Sequence, residues 1–370
     1  MKDIKDLDLK ELEEILTGWG ERPFHARQVF SWVYEKGVTD FDTMSDLPSD
    51  LRARLKRNFY ILSLKLIKRI KSYDGTEKFL FALKDNNFTP PFLTLKKPSG
   101  VERAGFIEAV IIPTGKRITG CISTQVGCKF ACRFCASGRL GFKRNLTNPE
   151  MIEEVLYLKN NSLDAKLTHI VFMGIGEPLD NYDNVIKAIR IINSPQSFNI
   201  GARRITISTC GIIPGIERLS GEDLQIELSV SLHAADDKTR LRLMPINKVY
   251  PLKDLITACR EYIRKTNRQI TFEYVLIKDI NSSLQNALKL SKILKGLNCK
   301  VNLIPCNAIN PAPARRSGVK ELKVQPPEKS EILLFRDYLL KSGINVTLRR
   351  PRGQDIEAAC GQLRLRYEKK

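Results

Sequence analysis

The sequence predicts an α/β protein: an incomplete parallel (β/α) barrel preceded by a small helical domain. Three observations predict it. From about residue 100, short apolar and β-branched segments alternate with helix-like stretches, the pattern of repeated βα units on a parallel sheet. Before residue 60 the apolar spacing is helical. The residues capable of chemistry fall where strands should end, and parallel α/β folds gather their sites at that rim.

Taken in order, residues 4–16, 24–36 and 50–59 read as short amphipathic helices, broken by Gly18, Gly20, Gly37 and Pro48. Between Asp50 and Asp74 there is no acidic residue, but Arg52, Arg54, Lys56, Arg57, Lys65, Lys68, Arg69 and Lys71 all occur. Two readings of this stretch stand: a solvated helix face followed by an edge strand, or a surface that neutralises phosphates. Strands are expected at 117–124, 167–174, 204–211, 225–233, 270–277, 300–307 and 345–351. Helices lie between most of them, such as 149–160, which opens on the capping box Thr147, Asn148, Pro149, Glu150. Seven strands fall short of a closed eight, so an open barrel is expected, with a doubly wound sheet as the main rival. The division expected is a helical domain at 1–60, a basic connecting segment with short strands at 61–100, the barrel at 101–350 and a C-terminal tail at 351–370.

Composition narrows the partner. The chain has 370 residues, 42% hydrophobic and 28% charged, enough apolar side chain for a sizeable core and too much for a disordered chain. Its 61 Lys and Arg against 41 Asp and Glu give a net charge of +20, which favours a polyanion such as RNA or DNA. There is no signal-peptide pattern, and no apolar run approaches the ~20 residues of a membrane span, so a cytoplasmic protein without membrane attachment is expected. Nine Cys in such a chain argue for metal or redox chemistry over a disulfide scaffold. Three His, at 25, 169 and 233, are too few for most imidazole-rich sites.

The sharpest feature is Cys128-Lys-Phe-Ala-Cys132-Arg-Phe-Cys135 after the first expected strand. Three thiolates this close can hold three irons of a [4Fe-4S] cluster and leave the fourth without a protein ligand. A zinc site would need a fourth ligand that the His-poor flanks do not supply. A redox pair of Cys132 and Cys135 would leave Cys128 unexplained.

With an aromatic residue before the last Cys and strand-end motifs downstream, this loop resembles that of the radical S-adenosylmethionine (SAM) superfamily. The resemblance implies that the open iron chelates SAM and that electron transfer splits it to a deoxyadenosyl radical. Segments 120–135, 173–179, 208–211, 231–234, 304–307 and 358–362, with Gly20-Glu-Arg-Pro-Phe-His-Ala-Arg-Gln28, are similar to the RlmN/Cfr family of RNA adenine methyltransferases over about residues 7 to 365. That family implies a partial barrel of radical SAM type with an N-terminal helical RNA-binding domain. It sets Gly176 and Glu177 against the SAM amino group and places Ser208, Ser231, Leu232, His233 and Asn307 around SAM.

Cys121 and Cys360, which on composition alone read as small buried hydrophobes like Cys210, Cys259, Cys299 and Cys306, gain roles from the same resemblance. A ring carbon of adenine between two nitrogens is electron-poor and offers no lone pair, so direct displacement on SAM fails and a radical route is needed. The family implies that Cys360 takes a methyl from one SAM and that a second SAM yields the radical that activates it, two per turnover. Glu108 then removes the ring proton, and Cys121 resolves the adduct through a transient disulfide with Cys360. On its residues alone Glu108 is a solvent-facing strand carboxylate. The implied substrates are 23S rRNA, at adenine C2 in the peptidyl-transferase region, and tRNA, at the adenosine 3′ to the anticodon. A flavodoxin or ferredoxin would donate electrons to a monomer. Methylation at C8 of the same rRNA base is the near rival. A tRNA methylthiotransferase would need a second, N-terminal Cys cluster, and an RNA-binding protein with a structural metal is the rival outside enzymes.

Overall fold

The computed structural model describes residues 1–83, 105–139, 141–162, 166–307, 324–349, 352–358 and 362–363. Cys360 and Gly361, the stretch 84–104, and Arg350, Arg364 and Arg366 lie outside the described residues.

The main sheet has ten strands that lie side by side in chain order: β1 (Lys65–Lys71), β2 (Glu77–Ala82), β3 (Phe106–Thr114), β4 (Arg117–Cys121), β5 (His169–Phe172), β6 (Ile205–Thr209), β7 (Glu227–Ser231), β8 (Ile270–Leu276), β9 (Cys299–Pro305) and β10 (Asn345–Leu348). From β4 to β10 all pairings are parallel. These are the seven strands the sequence predicts. A doubly wound sheet would reverse its order at a switch point, and this one never does. Among the described residues β10 pairs only with β9, so the barrel stays open.

The basic segment after residue 60 is more than a connector. β1, β2 and β3 join β4 by antiparallel pairing and extend the barrel sheet, with β1 as its exposed edge.

Helices back the parallel strands: α4 (Asn148–Asn161), α5 (Tyr182–Asn193), α6 (Ile213–Leu219), α7 (Asp237–Leu243), α8 (Leu252–Thr266), α9 (Leu284–Leu294) and α10 (Lys329–Lys341). α4 opens on the expected box, with Thr147 N donating to Glu150 Oε2 at 2.9 Å. Along β7, Leu228 and Val230, and Leu232 just past its end, join the core under the helices, and Ser229 and Ser231 take the opposite, interior side. The concave side is polar for this reason, and it is where the site forms.

N-terminal to the sheet, α1 (Leu9–Gly18), α2 (Phe24–Phe30) and α3 (Ser49–Asn58) share one hydrophobic core with the barrel, and the turn Ile4–Asp6 contacts α4. The first helix starts later than its spacing predicts: Ile4–Asp6 is a separate 3-10 turn, and Asp8 caps α1 through a box with Glu11. The second runs on past α2 as a π turn, Ser31–Glu35. Lys5 Nζ reaches Glu153 on α4 at 2.8 Å, and Asn148 donates to Lys5 O at 2.9 Å. No helix among the described residues is long and apolar enough to cross a membrane.

Candidate active site

The cysteine loop is held by a two-stranded antiparallel hairpin, Gln125–Gly127 with Phe142–Asn145. Gly127 has φ +77°, and a Cβ there would lie 1.7 Å from Gly141 O, so the crossing requires glycine. Cys128 N donates to that carbonyl at 3.0 Å, Cys135 N closes a turn onto Cys132 O at 3.0 Å, and Arg133 N donates to Leu243 O at 2.9 Å. Burial pushes the Cys128 thiol up to about 12 and raises Cys132 strongly. Thiols so shielded ionise when a metal takes up the charge. Among the described residues no three Cys, His, Asp or Glu converge on a point that would hold one metal ion. Three thiols on one eight-residue loop fit the three-Cys ligation of a [4Fe-4S] cluster, each holding a different iron.

Cys128, Cys132 and Cys135 open into a cavity of about 160 Å³ at the carboxyl ends of the strands. Gly176, Glu177, Ser208, Ser231, His233 and Asn307 line it as well, so residues from several strand ends meet the loop in one place. Leu232 is the exception: its side chain lies wholly in the core behind β7, which leaves only its main chain at the rim.

Each of these residues is fixed by its neighbours. Gly176 has φ +110°, and a Cβ would come within 2.6 Å of Gln125 Cβ. Glu177 is buried, with Oε1 accepting from Leu179 N at 3.1 Å and Oε2 from Cys210 N at 2.7 Å. Burial raises its pKa even so. The Thr209 and Cys210 side chains also bond to it, so the carboxylate splices β5 to β6 at the edge of the cavity. His233 is buried with φ +55°, packed edge-to-face on Phe134 at 4.7 Å. Burial, aided by the Arg240 charge, lowers it to about 3, so the ring is neutral. Val275 N donates to Nδ1 at 3.0 Å, which puts the proton on Nε2.

Cys121 lies beside this cavity in a second one of about 30 Å³, lined also by Ala358 and Leu363. Met173, Ile304, Asn307 and Arg349 line both. The tail segments that bracket residue 360 in the chain therefore pack beside Cys121. They are tied there by Ser137 Oγ to Leu363 O at 2.8 Å, by Gln354 to Asn307, and by Gly353 N to Asp74 Oδ2 at 2.9 Å. Glu108 is not solvent-facing as its residues alone suggest. It is 3% exposed, on the interior side of β3, with Lys78 Nζ 3.4 Å from Oε1. It lines neither cavity directly.

Sequence reasoning missed Glu273, Arg349 and Arg240. Glu273 and Arg349 line the larger cavity, Glu273 from the middle of β8 and Arg349 just past β10. Their inward parity beside Val275 and at a strand end was the available signal. Arg240 is fully buried and donates to Cys210 O at 2.8 Å and Asn247 Oδ1 at 2.9 Å, a positive charge behind the cysteine loop. Nothing in its helical context marks it.

An open parallel barrel with a three-cysteine loop at its mouth defines a radical SAM enzyme, and residues 122–290 match the model of the radical SAM superfamily. Residues 2–61 match that of the ribosomal RNA large subunit methyltransferase N-terminal domain. The chain is 44% identical to the "Probable dual-specificity RNA methyltransferase RlmN" of Caldanaerobacter subterraneus subsp. tengcongensis over 370 residues, 100% of this chain and 99% of that one. It is 44% identical to the protein of the same name from Geobacillus kaustophilus over 371 residues, 100% and 94% of the two chains. A solved radical SAM methyltransferase from Sphaerobacter thermophilus superposes with a TM-score of 0.86 at 40% identity, covering 98% of this chain and 99% of the other. The chain belongs to the RlmN family of radical SAM RNA methyltransferases.

Proposed function

We propose that the protein methylates C2 of an adenine in the peptidyl-transferase region of 23S rRNA and of the adenosine 3′ to the anticodon in tRNAs. The dual-specificity name of its relatives supports two RNA substrates. The observation that carries the mechanism is Cys121, buried beside the cofactor cavity and against the tail residues Ala358 and Leu363. A thiol there has one use that packing does not explain: it can meet a sulfur carried in by the tail.

A [4Fe-4S] cluster and two SAM molecules per turnover supply, when bound, the methyl group and a one-electron cleavage. Cys128, Cys132 and Cys135 hold the cluster. Gly176, Glu177, Ser208, Ser231, His233, Asn307 and the main chain at Leu232 hold SAM. Cys360 carries the methyl group, Glu108 accepts the ring proton, and Cys121 attacks the Cys360 sulfur to release the product. Residues 1–60 and the edge strand engage RNA, a flavodoxin or ferredoxin supplies electrons, and the protein works as a cytoplasmic monomer.

The test separates the two cysteines. Without Cys121 the methyl can be loaded and joined to RNA but not released, so Cys121→Ala gives a nuclease-sensitive shifted band on a denaturing gel. Cys360→Ala has no sulfur to methylate and gives none. A shifted band for Cys360→Ala, or for neither variant while the unaltered protein is active, overturns the roles.

A further inference from the structure

Across β2, β3 and β4 the register sets Lys78 opposite Val110 and Val110 opposite Cys121. Paired residues share a face, and Glu108 lies two residues along β3 from Val110, so Lys78, Glu108 and Cys121 all project to the barrel interior. Lys78 and Glu108 form a buried ion pair, with side chains 8% and 4% exposed and Nζ to Oε1 at 3.4 Å. The same ammonium donates to Glu357 O at 3.2 Å, three residues before Cys360.

Stability does not account for this pair. Taking both charges out of water costs as much as their attraction returns, and an apolar pair of the same size would serve the sheet as well. Other buried carboxylates near the site are met differently: Glu177 by the backbone N–H groups of Leu179 and Cys210, Glu154 by that of Ser123, and Glu273 by Asn302 Nδ2 at 3.0 Å with the Arg349 charge nearby. At Glu108 a full positive charge stands by the carboxylate, and the same ammonium also donates to the tail.

We propose that Lys78 is a positioning residue for the reaction. It holds Glu108 as a carboxylate, aimed at the interior, and fixes the chain leading to Cys360 over the same face as Cys121. The inference rests on the roles of Glu108 and Cys360 given under Proposed function. It adds that base and tail are set by one side chain, so that the group awaiting the proton and the sulfur carrying the methyl stay in register.

The test compares Lys78→Gln, Lys78→Arg and Glu108→Gln in the full-length, cluster-loaded protein. Three quantities are read: labelled methyl retained on the protein after incubation with SAM, RNA-linked protein on a denaturing gel, and kcat and KM for RNA. Lys78→Gln removes the charge and shortens the side chain by one atom while keeping a polar end. The tail keeps its ties through Ser137, Gln354 and Gly353, so this variant should load methyl as the unaltered protein does, keep KM within about threefold, lose kcat by roughly 10²-fold as general-base variants do, and accumulate the RNA-linked band. Lys78→Arg restores the charge and should recover kcat to within about tenfold. Three results overturn the proposal: a Lys78→Gln kcat near that of the unaltered protein, failure of Lys78→Gln to load methyl, or equal losses in Lys78→Gln and Lys78→Arg. A Glu108→Gln protein that turns over normally refutes instead the role of Glu108. A trapped Glu108→Gln beside an active Lys78→Gln removes Lys78 alone.

Discussion

Gly127→Ala isolates the support of the cysteine loop from the loop itself. The new Cβ would sit 1.7 Å from Gly141 O and 2.9 Å from Gly141 C, so the facing strand must retreat by more than ~1 Å before any tolerated contact is reached. That movement carries the carbonyl out of reach of Cys128 N, now 3.0 Å away, and leaves a buried N–H without its acceptor at a cost of ~1–3 kcal/mol. The positive φ of +77° adds ~1–2 kcal/mol for a residue with a Cβ. A strain of ~2–5 kcal/mol thus falls on the crossing at the base of the cysteine loop, while Gln125 stays tied to Ile175 O and Glu177 N, so the loop is displaced and the barrel stays folded. Iron and sulfide assays on anaerobically reconstituted protein should show less than half the cluster of the unaltered chain, with far-ultraviolet circular dichroism retained. Gly115→Ala is the control, because its φ is +56° but nothing lies within 4 Å of the new Cβ. It should cost ~1 kcal/mol and keep its cluster. A Gly127→Ala protein with full iron content and an unchanged melting temperature would refute the role given to the hairpin.

The pH dependence of stability follows from His233, whose pKa is lowered to about 3 by burial and the Arg240 charge. A depressed histidine stabilises the fold fully above its unfolded value of ~6.5, and the contribution drains away as pH falls from there toward 3. By pH 5 the loss is ~2 kcal/mol, so urea midpoints at pH 7 and pH 5 should differ more in the unaltered protein than in His233→Gln. Equal differences would contradict the burial of a neutral ring. For RNA, Arg57, Lys65 and Lys68 are exposed and form no ion pair among the described residues, whereas Arg54 stacks on Trp19 and Arg69 is held by Glu77. Replacing the three by Ala should lower the salt slope of RNA binding by about one log-log unit for each phosphate no longer neutralised. An unaltered slope returns β1 to a merely solvated edge.

The parallel half of the fold was legible because each strand carries β-branched or apolar residues on the side that meets the helices, as in Ile205, Ile207, Leu228 and Val230. The capping box at Thr147 and the cysteine spacing were local signals, complete within four to eight residues. What was hidden depends on pairing between distant segments. β1–β2 and β3–β4 are hairpins whose turns, Asp74-Gly75 and Gly115-Lys116, are local signals that sequence reasoning missed, whereas the β2–β3 pairing that joins them spans a long connection no local pattern specifies. Glu108 looked solvent-facing because a polar residue at alternate positions normally marks the wet side of a strand, and here the barrel interior is itself polar. Lys78 and Glu273 were missed for the same reason. Leu232 shows the converse: the motif around it lies at the rim, but strand alternation sends its side chain into the core.

What separates this enzyme from its near rival is the atom that receives the methyl group, and nucleoside mass spectrometry of rRNA and tRNA treated with cluster-loaded protein, SAM and a reductant reads that atom. The expected product is 2-methyladenosine in both RNAs, absent from reactions with Cys360→Ala. 8-Methyladenosine, or unmodified adenosine from a protein shown to cleave SAM in the presence of RNA, would contradict the proposed function.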